Sequence, residues 1–369
     1  MKTGCPAKPV KVALAGAQTG GHLLPAVETG AVLRQMGFDV VLVTSGEAVE
    51  KQILVNAGIP VRSLKVGRIK TMGLVGRVKG ALSIPGSLLR AGRLVHELQP
   101  DVVAGFGGFT SGPFVMAASL MGIPTTVFEA NSIPGITNRI LARRARKVFV
   151  SFAGAAARLG RKDAIMTGTP VRPSILEVKK SAWTAPGHRI LVIGGSQGSR
   201  FLNQTVPEVA AALLSKLQPG SASLEVRHQC GLGNAGSVAA RYRELGVEAV
   251  VSEYIQNMAE AYAWADFIIC RSGAGTVSEV AVVGLPALFV PFAAAADDHQ
   301  AHNAMDLATA GAAIMTREEN FDVEAVAATV ASILGSPDSL NLMSAAAVSA
   351  GRRDAAAQIA EGIAGLVKR

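Results

Sequence analysis

Four glycine-bearing runs carry most of the chemistry legible in this chain. They are Gly16-Ala17-Gln18-Thr19-Gly20-Gly21-His22, Gly105-Phe106-Gly107-Gly108-Phe109-Thr110-Ser111-Gly112-Pro113, Gly194-Gly195-Ser196-Gln197-Gly198-Ser199 and Arg271-Ser272-Gly273-Ala274-Gly275-Thr276. Each follows a short apolar stretch and leads into a helix-like one. A glycine loop at a helix start presents backbone N–H groups and the positive end of the helix dipole, which suits an anion. Glycines also simply make tight strand–helix turns, but four such loops in one chain favour a phosphate-bearing ligand. Gly-x-Gly-x-x-Gly fits neither the first loop nor the third, and Gly-x-x-x-x-Gly-Lys-Ser/Thr is absent, so a dinucleotide fold and a P-loop nucleotidase are disfavoured. There is no Asp-x-Asp and no His/Cys cluster with ligand spacing, so neither a metal nor a cofactor is expected.

These loops need rigid elements beneath them. Lys11–Ala15 reads as a strand, followed by a helix from about Pro25 to Met36 and a strand over Val40–Thr44. Arg189–Ile193 opens a similar second half, with a helix from about Phe201 to Leu217. Further strands are expected at Asp101–Ala104, Pro124–Glu129, Lys147–Ser151, Phe267–Cys270 and Ala287–Val290, and Ala-rich helices over Glu324–Ile333 and Leu340–Lys368. Strand, glycine turn, helix, strand is the βαβ unit of a parallel sheet. The expected fold class is α/β, with two doubly wound, Rossmann-like domains of mostly parallel sheets facing across a cleft and ligand at the carboxyl ends of the strands. Gly168–Pro173 and Lys179–His188 read as the linker.

Composition narrows the function classes. The 369 residues are 49% hydrophobic and 17% charged, enough for large cores and too apolar for disorder. Aromatics are only 5%, which argues against stacked platforms for nucleic acid. Three scattered cysteines make no disulfide framework or metal knuckle, which points to a reducing compartment. The longest apolar stretches contain prolines and fall short of a membrane span, and Met1–Val12 has no leader-like core, so a cytoplasmic location is expected. Net charge is +9, unevenly spread: residues 1–150 hold 18 Lys/Arg against 7 Asp/Glu, net +11, and residues 151–369 hold 18 against 20, net −2. A local basic region implies an anionic surface as partner.

Taken in order, the motifs resemble those of the MurG-type glycosyltransferases. The matching stretches are Thr19-Gly20-Gly21-His22 with Pro25, Gly105–Pro113, Glu129 to Arg139, Gly168–Arg172, Gly194–Asn203, Tyr254-Ile255 with Met258, Trp264 to Pro291, and Asp298-His299-Gln300 with Asn303-Ala304. The resemblance spans nearly the whole chain and implies a GT-B fold. It further implies inverting transfer of N-acetylglucosamine from UDP-N-acetylglucosamine to the 4-hydroxyl of the N-acetylmuramyl unit of lipid I, giving lipid II at the cytoplasmic face of the membrane. Carried over by position, substrate contacts would come from Thr19, Gly20, Gly21, Asn131, Arg172, Ser196, Ile255, Ala274, Gly275, Thr276, Val277, Ser278, Glu279 and Gln300. The sequence departs from the family pattern at Ala17, Gln18, Phe109, Phe128 and Ala130, which cluster in the first half. The resemblance divides the chain into an acceptor and membrane-associating domain over 1–172, a donor domain over 173–348, and a C-terminal helix over 349–369 that crosses back to the first domain. The same donor half would serve a UDP-sugar epimerase, a glycolipid synthase or a non-catalytic sugar-nucleotide sensor.

Transfer requires the acceptor hydroxyl to lose a proton while the anomeric carbon takes on positive character and the departing diphosphate is stabilised. His22 and Glu129 are the candidate bases. Glu279 can accept from both ribose hydroxyls, although Thr276-x-x-Glu279 also reads as a capping box. Gln300 can donate to and accept from hexose hydroxyls. Residues 65–93 interleave Lys65, Arg68, Lys70, Arg77, Lys79, Arg90 and Arg93 with Ile69, Met72, Leu74, Val75, Leu82, Ile84, Leu88 and Leu89. That pattern suits docking on an anionic membrane, and its lack of aromatics argues against nucleic acid.

Overall fold

The computed structural model describes residues 9–16, 20–47, 50, 54, 57–66, 74–195, 197–216 and 223–367, with side chains in the helix beginning at Leu74 described from residue 85 onward. The chain forms two compact units that part at Val171/Arg172 and again at Arg353/Asp354. The first runs β1 (Lys11–Ala15), α1 (Gly20–Gln35), β2 (Asp39–Thr44), β3 (Val61–Ser63), α2 (Leu74–Leu98), β4 (Val102–Gly105), α3 (Ser111–Leu120), β5 (Thr125–Glu129), α4 (Ile136–Ala142), β6 (Lys147–Val150), α5 (Ala153–Leu159) and β7 (Ile165–Met166). The second runs α6 (Pro173–Leu176), β8 (Arg189–Ile193), α7 (Arg200–Lys216), β9 (Glu225–Gln229), α8 (Ala235–Glu244), β10 (Ala249–Ser252), α9 (Met258–Trp264), β11 (Phe267–Cys270), α10 (Ala274–Val283), β12 (Ala287–Phe289), α11 (His299–Thr309), β13 (Ala313–Met315), α12 (Val323–Leu334) and α13 (Pro337–Ala350). The chain then returns to the first unit as α14 (Ala355–Ala364).

Among the described residues, each unit holds one parallel sheet, in the orders β3-β2-β1-β4-β5-β6-β7 and β10-β9-β8-β11-β12-β13. Central strands are apolar throughout because helices cover both faces: Val12, Ala13, Leu14 and Ala15 are all fully buried, as are Leu191, Val192, Ile268 and Ile269. Strand order reverses between β1 and β4 in one sheet and between β8 and β11 in the other. In each sheet the loops at the switch point lie at the carboxyl ends of the strands, where ligands of such sheets bind. The described residues of the four glycine runs lie there.

Two expectations are corrected. The first helix begins at Gly20, about five residues before the expected start near Pro25, and carries Pro25 inside it. The first amides of a helix need no intrahelical partner, so Gly20 and Gly21 turn straight from loop into helix and His22 rides on its first turn. The single C-terminal helix over 349–369 is instead broken after Ala350, where Gly351 is extended (φ −67°, ψ 139°). Arg353 fixes the break by donating to the carbonyls of Val282 (3.0 Å) and Leu176. Beyond it, α14 packs against α1 and β6.

Candidate active site

In the second unit, β11 runs into Arg271-Ser272-Gly273 and then α10. The helix N-cap is Gly273, with no side-chain cap, so the capping-box reading of Glu279 does not hold. Ala274, Gly275, Thr276 and Val277 form the first turn; the amides of Ala274, Gly275 and Thr276 face out at its positive end, while that of Val277 donates to the Gly273 carbonyl at 3.0 Å. Ser278 and Glu279 follow. One carboxylate oxygen of Glu279 accepts from the Tyr262 hydroxyl at 2.8 Å, and the other pairs with Arg172 Nη2 at 3.4 Å. Burial pushes the Glu279 carboxyl up, while the Arg172 charge and the Tyr262 hydroxyl oppose that rise. Arg172 is placed by the start of α6, and its Nε is buried without a hydrogen-bond partner. This leaves a donor and a carboxylate side by side, suited to a hydroxylated anion.

The loop 194–199 after β8 lies on the loop that follows β9. A Cβ on Gly198 (φ +76°) would come within 2.1 Å of the Cys230 carbonyl oxygen, and one on Gly231 (φ +85°) within 2.3 Å of the Gln197 oxygen. Only glycine permits this backbone-on-backbone crossing. Asn203, in the first turn of α7, locks it by donating Nδ2 to the Cys230 carbonyl at 2.9 Å. Gln300 sits at the start of α11, where its Oε1 accepts from the Phe292 amide at 3.0 Å. Ile255 is half-buried just after β10. These segments all occupy the carboxyl edge of one sheet.

In the first unit, the loops after β1 and β4 meet at the switch point. A Cβ on Gly107 (φ +98°) would fall 2.7 Å from His22 Cδ2 and 3.0 Å from Nε2, so glycine is what lets the imidazole lie against this loop. Glu129, at the end of β5, is 3% exposed. One of its oxygens accepts from the Asn131 amide at 2.9 Å, the other from the Gly135 amide at 3.2 Å and Asn138 Nδ2 at 2.8 Å. Burial raises its carboxyl and these bonds pull it back. Glu129 thereby ties down the loop that carries Asn131. Phe128, where the family pattern has a polar residue, is buried with its ring 5.5 Å from that of Phe106, and Ala130 is also buried.

The structure thus brings Arg172 and Glu279 together, and Asn131 with Glu129. Gly20 and Gly21 open α1, one turn from Gly107's contact with His22. Thr19 and Ser196, along with Ala17 and Gln18, lie outside the described residues. Tyr262, Asn138 and Asn203 were not singled out from sequence. Each looks like an ordinary helix residue until its long-range partner is known.

Comparison with known proteins bears on the family and the fold. Residues 12–150 match the glycosyltransferase family 28 N-terminal domain and residues 189–359 the glycosyltransferase family 28 C-terminal domain. A UDP-N-acetylglucosamine–N-acetylmuramyl-(pentapeptide) pyrophosphoryl-undecaprenol N-acetylglucosamine transferase of Alcanivorax borkumensis is 40% identical over 85% of this chain and 86% of its own. A protein of the same description from an Anaeromyxobacter species is 38% identical over 98% of this chain and 94% of its own. The crystal structure of Acinetobacter baumannii MurG superposes with a TM-score of 0.78 at 31% identity, covering 97% of this chain and all of that one. The UDP-GlcNAc 2-epimerase of Neisseria meningitidis shares the fold alone, at 15% identity and a TM-score of 0.68 over 96% of this chain and all of its own. The fold is GT-B, and the chain belongs to glycosyltransferase family 28 and, within it, to the MurG family.

Proposed function

We propose that this chain transfers N-acetylglucosamine from UDP-N-acetylglucosamine to the 4-hydroxyl of the N-acetylmuramyl unit of undecaprenyl-pyrophosphoryl-N-acetylmuramyl-pentapeptide, lipid I. The product is lipid II, the disaccharide lipid of peptidoglycan synthesis. The observation that carries this reading is the Glu279 site: a half-buried carboxylate, its side chain 15% exposed, held between Arg172 and Tyr262 beside the N-terminus of α10. It offers acceptors to a ribose diol and, next to them, donors to a diphosphate.

In this reading the second unit takes the donor. Glu279 accepts from the ribose hydroxyls, and the amides of Ala274, Gly275 and Thr276 and of the 194–199 loop, with Ser196, take the diphosphate, while Val277 and Ser278 line the nucleotide beside them. Arg172 adds charge to the leaving group, Ile255 lines the nucleotide, and Gln300 offers its carboxamide to hexose hydroxyls. The first unit takes the acceptor through Thr19, Gly20, Gly21 and Asn131. His22 removes the proton as the acceptor 4-oxygen bonds to the anomeric carbon. The bond from that carbon to the UDP oxygen breaks with inversion, and the departing charge falls on amides, helix dipole and guanidinium. Glu129 already accepts several hydrogen bonds, which favours His22 as base and makes Glu129 the residue that positions Asn131.

Docking on an anionic membrane surface through residues 65–93 would bring the enzyme to its lipid-linked acceptor at the cytoplasmic face. Leu89 is 67% exposed, and Arg90 and Arg93 are exposed beside it. Pro85, Leu88, Leu89, Gly92 and Arg93 line a largely apolar groove with Met121. Ile69, Met72, Arg68 and Lys70 lie outside the described residues, as do the side chains of Leu74, Val75, Arg77, Lys79, Leu82 and Ile84.

The decisive experiment supplies UDP-N-acetylglucosamine and lipid I and follows the lipid product. Lipid II is expected. Release of free sugar, or epimerised UDP-sugar without a lipid product, would remove the proposal.

A further inference from the structure

The loop that leads to Gln300 reads Val290-Pro291-Phe292-Ala293-Ala294-Ala295-Ala296-Asp297-Asp298. Four consecutive alanines offer no side-chain group to hold it. Yet it adopts a demanding shape: Asp297 and Asp298 are consecutive non-glycine residues with φ of +52° and +53°. L-residues take up that conformation only where their surroundings over-determine it.

The groups that hold the loop come from two adjacent residues after β13, Arg317 and Glu318. Glu318 Oε1 lies 2.6 Å from Arg271 Nη1 and accepts from the Ala293 amide at 3.4 Å. Arg271 in turn donates to the carbonyls of Val290 and Pro291, both at 3.1 Å, and its guanidinium lies 5.4 Å from the Phe292 ring. This pair is largely buried, with side chains 9% and 21% exposed, so Glu318 is the counter-charge that lets Arg271 stay there. Arg317 grips the other end of the loop: its two terminal nitrogens reach the two Asp298 oxygens at 3.2 and 2.5 Å. Between these anchors, the Phe292 amide fixes the Gln300 carboxamide by its oxygen. That orientation leaves the –NH2 group of Gln300 as a donor for a ligand.

We infer that Arg317 and Glu318 are positioning residues for the sugar end of the donor site, holding the 290–298 loop so that Gln300 meets the hexose. The inference rests on the proposed role of Gln300 toward hexose hydroxyls. It differs from a purely structural role in one respect. A loop held for the sugar matters to UDP-N-acetylglucosamine and not to UDP, whereas a general loss of folding weakens both.

The test is calorimetry with UDP and with UDP-N-acetylglucosamine on Arg317→Gln, Glu318→Gln and Gln300→Ala. Arg317 and Asp298 are each about 40% exposed on their side chains, so Arg317→Gln is expected to fold. Both clamp variants should bind UDP as the wild type does. Their affinity for UDP-N-acetylglucosamine should fall about threefold to tenfold, the range for one well-oriented hydrogen bond. Arg317→Lys should recover part of the loss. If Glu318→Gln fails to fold, Arg317→Gln alone decides: an unchanged ratio of the two affinities overturns the clamp. If Gln300→Ala itself leaves that ratio unchanged, the hexose role of Gln300 fails, and the inference fails with it. If Gln300→Ala lowers the ratio and neither clamp variant does, the clamp alone is wrong.

Discussion

At the scale of single residues, the carboxylates of Glu129, buried, and Glu279, half-buried, have different employment. Glu129 gives its oxygens to the loop behind it, through two main-chain amides and Asn138. Among the described residues, Glu279 takes Tyr262 and Arg172 as side-chain partners, so acceptor capacity remains for a ligand. The Tyr262 ring is fully buried, so Tyr262→Phe keeps the packing and removes one donor. UDP affinity should drop by about 1 kcal/mol. The Tyr262 hydrogen bond lowers the Glu279 pKa, so its loss raises that pKa further. The carboxylate is the form that accepts from ribose, so the variant should lose affinity at a higher pH than the wild type as the medium is acidified. Calorimetry from about pH 8 to about pH 5 should show it, and superimposable profiles would contradict it. For His22, which rides on the first turn of α1, replacement by Ala should cut turnover on lipid I by about 10²-fold or more. A rise in donor Kd at unchanged turnover would instead make it a binding residue.

At the scale of elements, β9 shows why some of the fold escapes sequence reading. Its residues, Glu-Val-Arg-His-Gln, carry one aliphatic side chain in five, and nothing in that pattern announces a strand next to the centre of a sheet. His228 is nevertheless fully buried, with Nδ1 2.9 Å from the Tyr242 hydroxyl of α8 and Nε2 3.1 Å from Asn203 Oδ1 of α7. Because Asn203 Oδ1 can only accept, Nε2 carries the proton and Nδ1 accepts from Tyr242. Burial pushes the imidazole down from 6.5 to about 3. A group depressed in the folded state adds stability above its unfolded pKa and loses it as pH falls toward the folded one. The second unit should therefore lose stability below about pH 6.5, with a slope approaching 1.4 kcal/mol per pH unit from this residue. Urea unfolding of His228→Gln across that range should give a protein that is less stable at neutral pH but has a flatter profile. Parallel profiles would assign the acid sensitivity elsewhere.

At the scale of the molecule, charge is the feature with the longest reach. The excess of +11 in residues 1–150 against −2 in the remainder would put any attraction to an anionic surface in the half proposed to take the lipid-linked acceptor. Among the described residues no helix is long and apolar enough to cross a membrane. Attachment through residues 65–93 would rest on the exposed Leu89 plus cations worth about 1 kcal/mol each near an anionic surface. Changing Arg68, Lys70, Arg77 and Lys79 together to Gln should abolish sedimentation with anionic vesicles at moderate salt and activity on vesicle-borne lipid I. UDP binding should persist, since Arg172, Glu279 and Gln300 belong to the second unit. Equal pelleting of variant and wild type would defeat the docking role.

Local patterning was enough to find the glycine loops at the ends of β1, β4, β8 and β11, because a strand, a glycine turn and a helix leave their signals within about 30 residues of chain. The GT-B class came from the likeness of the ordered motifs to the MurG family, and the same likeness pointed to Arg172, Glu279 and Gln300 as site residues. Tertiary structure alone decided that β1 lies beside β4, and β8 beside β11, so that the loops meet in pairs. Strand pairing is a non-local choice of register and order, which no short window of sequence records. It also decided that Gly107 lies against His22, that Tyr262 serves Glu279, and that Arg317 and Glu318 hold a loop of alanines. Such contacts depend on which side chain a remote helix or turn delivers to a carboxylate or carbonyl. A tyrosine in a helix, or an Arg-Glu pair after an edge strand, carries no mark of its partner until the chain has folded.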